Sequence, residues 1–409
     1  MPDVRPSHTP GSPRACAHPS PDSGTRDDSA PTPPTASPDL DALPANADGA
    51  EVWAALGAAG LLTSAYRRGD VRAGVDPHGL AGLLTAADAR WSIPATLSAS
   101  VQLATALPVL ATGTGPVVER ALRRTLAGRA TLALAATDAT AGTDLTALRT
   151  EAALDDDAVH VTGGKEWIAN TTTAEAFLVL ARHRPGRHFT SFSWVLVPAD
   201  APGVTVQPAP SALYASSGAG HVTFDTVRLG RDHLVGRVGM GLPLFARHIA
   251  VERLAGALWG VALCRRVLAT TRRRLADRAH GDATLWDLPH IRQRFAACLV
   301  RVQELKALAE RFGPSVARSH DPRAAATLKA AAGTTVPYVL GECAQLWGAA
   351  GFADGGMQEI RAQAALFGIG GGATEVVLDT LAEGADQILA ELAHPGPLPV
   401  EPAGRGAPA

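Results

Sequence analysis

Lysine is almost missing. Lys165, Lys306 and Lys329 are the only three in 409 residues, and arginine makes up the rest of the 37 basic positions. With abundant alanine, that skew reads as the mark of GC-rich coding sequence rather than of a function. Cysteine is scarce as well. Cys16, Cys264, Cys298 and Cys343 lie far apart, form no C-x-x-C pair and have no histidine at metal-ligand spacing. No metal site is therefore expected, and the four are read as buried thiols of a reducing cytoplasm. Neither H-E-x-x-H nor G-x-S-x-G occurs, which leaves a zincin or an α/β-hydrolase without support. A net charge of −2 lacks the basic excess of a nucleic-acid partner. The first 45 residues have no apolar h-region and carry acids, so they fit neither a signal peptide nor a transit peptide. No stretch is expected to span a membrane, and no internal repeat is visible.

What the chain does have is apolar content of 46% with 19% charge, ordinary for a globular enzyme. Its texture changes four times. Residues 1–45 are rich in Pro, Ser, Thr and Asp and are expected to be disordered. From 46 to 130, alanine and leucine recur at helical spacing, as in Val52-Trp53-Ala54-Ala55-Leu56. Short β-prone runs follow from 131 to 236, including Phe177-Leu178-Val179-Leu180 and His221-Val222-Thr223-Phe224, separated by turn residues. Strands without intervening helices predict an antiparallel sheet or small barrel. Helical texture returns over 237–394 in four long segments, near 242–278, 286–312, 321–350 and 373–393. A proline-rich tail, 395–409, closes the chain. The fold class is α+β: an N-terminal helical domain, a central antiparallel β domain and a C-terminal four-helix bundle.

Two polar loops stand out. Thr137-Asp138-Ala139-Thr140-Ala141-Gly142-Thr143-Asp144-Leu145 follows the apolar run from Leu132. Gly163-Gly164-Lys165-Glu166-Trp167-Ile168-Ala169-Asn170 follows the alternating Ala158-Val159-His160-Val161-Thr162. Hydroxyls, glycines and free backbone N–H groups at strand ends suit an anion or a ring-edge acceptor. A third glycine run, Gly368-Ile369-Gly370-Gly371-Gly372-Ala373, matches G-x-G-x-x-A. No strand precedes it, so it fails the context test for a dinucleotide fingerprint.

These runs resemble the acyl-CoA dehydrogenase family in order and spacing, over roughly residues 50–394. The likeness continues through Val222-Thr223-Phe224-Asp225, Glu252-Arg253-Leu254, Gln345-Leu346-Trp347-Gly348-Ala349-Ala350-Gly351-Phe352 and Gly370-Gly371-Gly372-Ala373-Thr374-Glu375. The resemblance implies FAD, an acyl thioester on CoA or a carrier protein, and an acceptor such as an electron-transfer flavoprotein or oxygen. It also implies a cytoplasmic homotetramer or homodimer. It places Thr137, Ala139, Thr143, Trp167 and Ala169 against the flavin, with Gln345, Gly348 and Thr374 toward its adenine side, some across a subunit interface, and Arg278 as the cofactor-binding substitute for an arginine expected one place earlier. The backbone N–H of Gly371 would face the thioester carbonyl. The alternative for Trp167 is a plain core aromatic, but its place within Gly-Lys-Glu-Trp-Ile-Ala-Asn favours ring stacking.

Gly371 sits where many members carry a catalytic glutamate, so the base must come from elsewhere. Glu252 is the candidate. At about 100° per residue, Phe245, Ile249, Gly256 and Trp259 share its helix face, and an apolar stripe raises a carboxylate's pKa. The alternative is a Glu252 paired with His248 or with an arginine. Three departures mark a divergent member, one of secondary metabolism. Ala169 stands where Thr or Ser is usual, His280-Gly281 replaces Phe-Gly with Asp277 at the arginine position, and Gly370 and Ala373 replace Tyr and Thr. They keep a flavin monooxygenase and a non-catalytic homologue in view. The cluster Arg265, Arg266, Arg272, Arg273 and Arg274 reads as a solvated helix face or a phosphate patch.

Overall fold

A computed structural model describes Leu40, residues 43–139, Gly142 and residues 144–393. The expected tails fall almost wholly outside these residues, as does Cys16. The chain opens with α1 (Gly49–Ala58), α2 (Pro77–Arg90), α3 (Ile93–Val101), α4 (Leu107–Leu110) and α5 (Pro116–Leu126). Their starts are written in the sequence. Asp48 and Glu51 form a capping box on α1, Asp76 precedes Pro77, and Ser92 accepts the Ala95 N–H at 3.2 Å, which satisfies otherwise orphaned donors. Between α3 and α4 the chain makes a π turn over Gln102–Ala106. That turn becomes important at the site.

Eight strands follow: β1 (Leu132–Ala135), β2 (Glu151–Leu154), β3 (Ala158–Ile168), β4 (Ala176–Arg182), β5 (Phe192–Pro198), β6 (Val204–Pro208), β7 (Gly220–Gly230) and β8 (Leu234–Val235). They form one sheet in the order β6-β7-β3-β2-β4-β5-β8, with β1 beside β4. Pairing is antiparallel except where β1 and β2 meet β4. The run Phe177-Leu178-Val179-Leu180 is apolar throughout because β4 is covered on both faces. Leu178 and Leu180 enter the core shared with the helices, while Phe177 and Val179 enter a second core with Val195, Val197 and Phe224.

The segment from Gly163 was expected to be a loop. Instead β3 runs on through Ile168, paired with β7 and shifted in register after Val161 and after Lys165. Gly163 takes φ +139°, and a Cβ there would lie 2.7 Å from Thr150 Cα. A bulge lets the strand continue where regular pairing would clash.

Beyond the sheet come α6 (Gly241–Asp277), α7 (Pro289–Ser319) and α8 (Pro322–Trp347), packed together. The turn from α6 to α7 is a small hairpin of Ala279–His280 with Ala283–Thr284, and it holds Gly281. The fourth expected helix is divided. Short α9 (Met357–Gln363) and α10 (Leu366–Ile369) lead to α11 (Thr374–Glu383), and the chain breaks at Gly384 before α12 (Ala385–Ala393). Two windows, Ile93–Leu110 and Met357–Glu383, are long and apolar enough to cross a membrane, contrary to expectation. The first is 89% buried in the core, as a central helix is, and the second is broken by the turn before Thr374.

Candidate active site

Glu252 lies on α6 at the wall of a narrow cavity of about 50 Å³, with Leu97, Ser100, Trp259, Phe367 and Gly371 among its neighbours. Thr105 donates its hydroxyl to Glu252 Oε2 at 2.8 Å. The π turn carries Thr105, and widened turns of this kind recur at functional sites. Burial holds the Glu252 carboxyl above the ordinary carboxylate range. The Thr105 hydrogen bond and the charges of Arg253 and Lys329 oppose that rise. The alternative pairing with His248 does not occur: among the described residues neither ring nitrogen of His248 has a partner.

The loop facing Glu252 is fastened by its carbonyls. Arg253 Nε donates to Gly371 O at 3.0 Å, and the Lys329 ammonium donates to Phe367 O. Lys329 is buried, which pushes its pKa down to about 8, helped by Arg253. Gly371 has φ +73° and Gly372 φ +105°, so the turn favours glycine at both positions. A Cβ on Gly371 would stand 3.8 Å from Glu252 Oε1. No acceptor among the described residues takes the Gly371 N–H. A buried carboxylate opposite a free backbone donor can remove a proton beside a carbonyl whose oxygen that donor receives.

Trp167 is no core aromatic. It is 58% exposed, at the end of β3, with φ +55°. A bulky residue in the left-handed region is strained. Its ring meets His221 edge-on at 5.4 Å, leaving aromatic surface free. The loop after β1 is tied to this strand end, since Glu166 N–H donates to Thr137 O at 3.1 Å. Beneath it, Lys165 is fully buried and donates to Asp138 Oδ1 at 2.5 Å, Ala136 O at 3.0 Å and Leu180 O at 2.7 Å. Asp138 also accepts the backbone N–H groups of Arg149 and Thr150. The pair closes the base of the loop. Burial lowers the Lys165 pKa to about 8 even with Asp138 beside it.

The remaining expected residues scatter. Thr137 and Ala169 are half-buried at the strand ends and Ala139 is exposed, while Thr143 lies outside the described residues. Thr374 is buried and donates to Gly368 O at 3.1 Å. Arg278, Gln345 and Gly348 are exposed on the helical side. No hydrogen bond joins them to the strand-end loops among the described residues. The arginine cluster is not one patch. Arg266 pairs with buried Asp88, and Arg272 and Arg274 lie over Trp286 and Trp347. Sequence reasoning passed over Thr105, Asp138, Lys165 and Lys329. Lysine scarcity was the available signal, because two of the three lysines are buried.

A central sheet flanked by two helical regions makes an α+β fold, with a buried acid beside a glycine turn. Residues 133–227 match the acyl-CoA dehydrogenase middle domain, and residues 239–385 match the acyl-CoA dehydrogenase C-terminal domain. The chain belongs to the acyl-CoA dehydrogenase family. It is 28% identical over 270 residues to an acyl-[acyl-carrier-protein] dehydrogenase, MbtN, of Mycolicibacterium paratuberculosis, covering 64% of this chain and 68% of that protein. Other relatives of that name are matched over 52% and 62% of their length. Among solved structures, butyryl-CoA dehydrogenase from Megasphaera elsdenii superposes with a TM-score of 0.77 at 17% identity, over 83% of this chain and 91% of that one. The FAD complex of PigA gives 0.76 at 18%, over 82% and 89%.

Proposed function

We propose that this protein is an FAD-dependent acyl-thioester dehydrogenase in which Glu252 removes the proton alpha to the thioester carbonyl. One observation carries the reading: a buried carboxylate with a raised pKa lines a narrow cavity together with Gly371, whose backbone N–H has no acceptor among the described residues. Desolvation makes Glu252 a stronger base near neutrality than an exposed carboxylate. Gly371 N–H receives the charge that develops on the carbonyl oxygen. Arg253 and Lys329 hold that donor in place by fixing the loop's carbonyls.

The strand-end residues fit FAD. Trp167 offers an exposed aromatic face beside the Thr137 backbone, which suits a flat ring. When bound, FAD accepts the hydride equivalent from the β-carbon. Thr137, Ala139 and Trp167 orient its ring, and Ala169 supplies no hydroxyl to it. Gln345, Gly348, Thr374 and Arg278 are assigned to its adenine side, with a second copy of the chain bringing the exposed ones to it. The MbtN likeness favours an acyl group carried on a carrier protein or CoA. Electrons then pass to an electron-transfer flavoprotein or to oxygen.

The test is the visible spectrum of the purified protein, followed by anaerobic addition of acyl-CoA and acyl-carrier-protein thioesters of graded chain length. A flavin band that bleaches with formation of the enoyl thioester is expected. No band after incubation with excess FAD would sink the proposal. A band that bleaches only with a reductant, and reoxidises in air with a hydroxylated product, would shift the reading to a monooxygenase.

A further inference from the structure

A second cavity, of about 300 Å³, lies on another face of α6 and shares no residue with the one at Glu252. It is walled by the segment Val71–Ala73 with Gly74 and Val75, the end of α4, the start of α6 and the end of α7. Four arginines and two histidines line it: Arg67, Arg72, Arg247, Arg318, His248 and His320. No aspartate or glutamate lines it. Arg72 is neutralised by Glu119 at 2.5 Å. Among the described residues, no carboxylate pairs with Arg67, Arg247 or Arg318.

The wall is built rather than incidental. Arg67 Nη2 donates to Ala317 O at 3.0 Å, while its buried Nε has no acceptor. Gly74, at φ +84°, leaves room for that guanidinium, since a Cβ would lie 2.7 Å from Arg67 Nη2. His248 is 7% exposed and lines the floor with both ring nitrogens unpartnered. Its ring meets that of His320 edge-on at 5.6 Å. Burial and the neighbouring cations push His248 down to about 3 and lower His320, so both rings are neutral and each keeps one N–H to donate. Arg67 Nε and the His248 ring leave buried donors without an acceptor, which is costly without a polar guest, and Arg247 and Arg318 add uncompensated positive charge from the exposed rim.

We propose that this cavity binds a phosphate group. A carboxylate has two oxygens and satisfies one guanidinium fork, whereas a phosphate carries more charge and enough terminal oxygens for several. The site stands independently of the flavin reading. Its phosphate could belong to the thioester's carrier or to a separate compound.

The probe is inorganic pyrophosphate, titrated calorimetrically into the full chain in low-salt buffer free of phosphate. Saturable one-to-one binding is expected, weakened roughly tenfold or more in Arg247→Ala and in Arg318→Ala. Both positions are exposed at the rim, so folding should survive, and an unchanged circular dichroism spectrum checks this. His248→Asn tests the floor. Absence of binding, or equal binding by the wild type and all three variants, overturns the proposal and leaves an adventitious ion only. If pyrophosphate raises KM for an acyl-CoA without changing kcat, the site holds the carrier's phosphate. If KM stays the same while calorimetric binding persists, the phosphate comes from a separate compound.

Discussion

Two of the three lysines are buried, and each fastens backbone next to the site: Lys165 beneath the Thr137 loop and Lys329 at the Gly371 turn. An ammonium is not buried by chance, because desolvation is expensive unless its donors are satisfied. Lys165 meets that need with Asp138 and two carbonyls. Glu252 and Trp167 were legible because each stands in a run with recognisable neighbours. Thr105 was not, since its partner lies 147 positions away and nothing local marks it. It gives a prediction at this scale. The Thr105 hydroxyl stabilises the carboxylate form of Glu252, so Thr105→Val should raise the Glu252 pKa further. In the proposed mechanism Glu252 acts only when ionised. The acid limb of kcat/KM should therefore move to higher pH by about one unit, the worth of one hydrogen bond to a charged group. A limb that stays in place would detach Thr105 from the base.

At the scale of elements, helix starts and strand cores were readable because caps and apolar alternation are local signals. Two features were not. The π turn over Gln102–Ala106 lies in a run whose composition differs little from an ordinary helix, and it exists because Gln102 and Thr105 bond outward, to Leu132 N–H and Glu252. The continuation of β3 past Thr162 was hidden by its glycines, which read as a loop but act as a bulge. Gly163→Ala tests that account. The new methyl would strike Thr150 at a backbone angle unsuited to an L-residue, costing about 1–3 kcal/mol. Thermal unfolding should show a clearly lower Tm and reduced flavin retention. Gly164→Ala, where a Cβ would come no closer than 3.5 Å, should do much less harm.

For the whole molecule, the order of helices, sheet and helices followed from composition and from the family resemblance. Long-range chemistry did not, because charges that meet in space are scattered in sequence. The basic cavity joins Arg67 to His320. It also sets a pH response. Burial, reinforced by His320 and Arg247, holds His248 neutral in the fold at a pKa of about 3, whereas an unfolded histidine titrates near 6.5. Between those values the unfolded chain binds more protons, so stability falls as pH drops. The loss from this group is roughly 3 kcal/mol between pH 6.5 and 4. In buffer without phosphate, His248→Asn should lose less over that range, and equal losses would contradict the account. The central claim is that Glu252 is the base. Its most direct test is anaerobic mixing of FAD-loaded Glu252→Gln with an acyl thioester that bleaches the wild type, followed in the flavin's visible band. The account predicts full FAD content with bleaching slowed by at least roughly a thousandfold, the reach of a positioned base. Bleaching at a near-normal rate would contradict it.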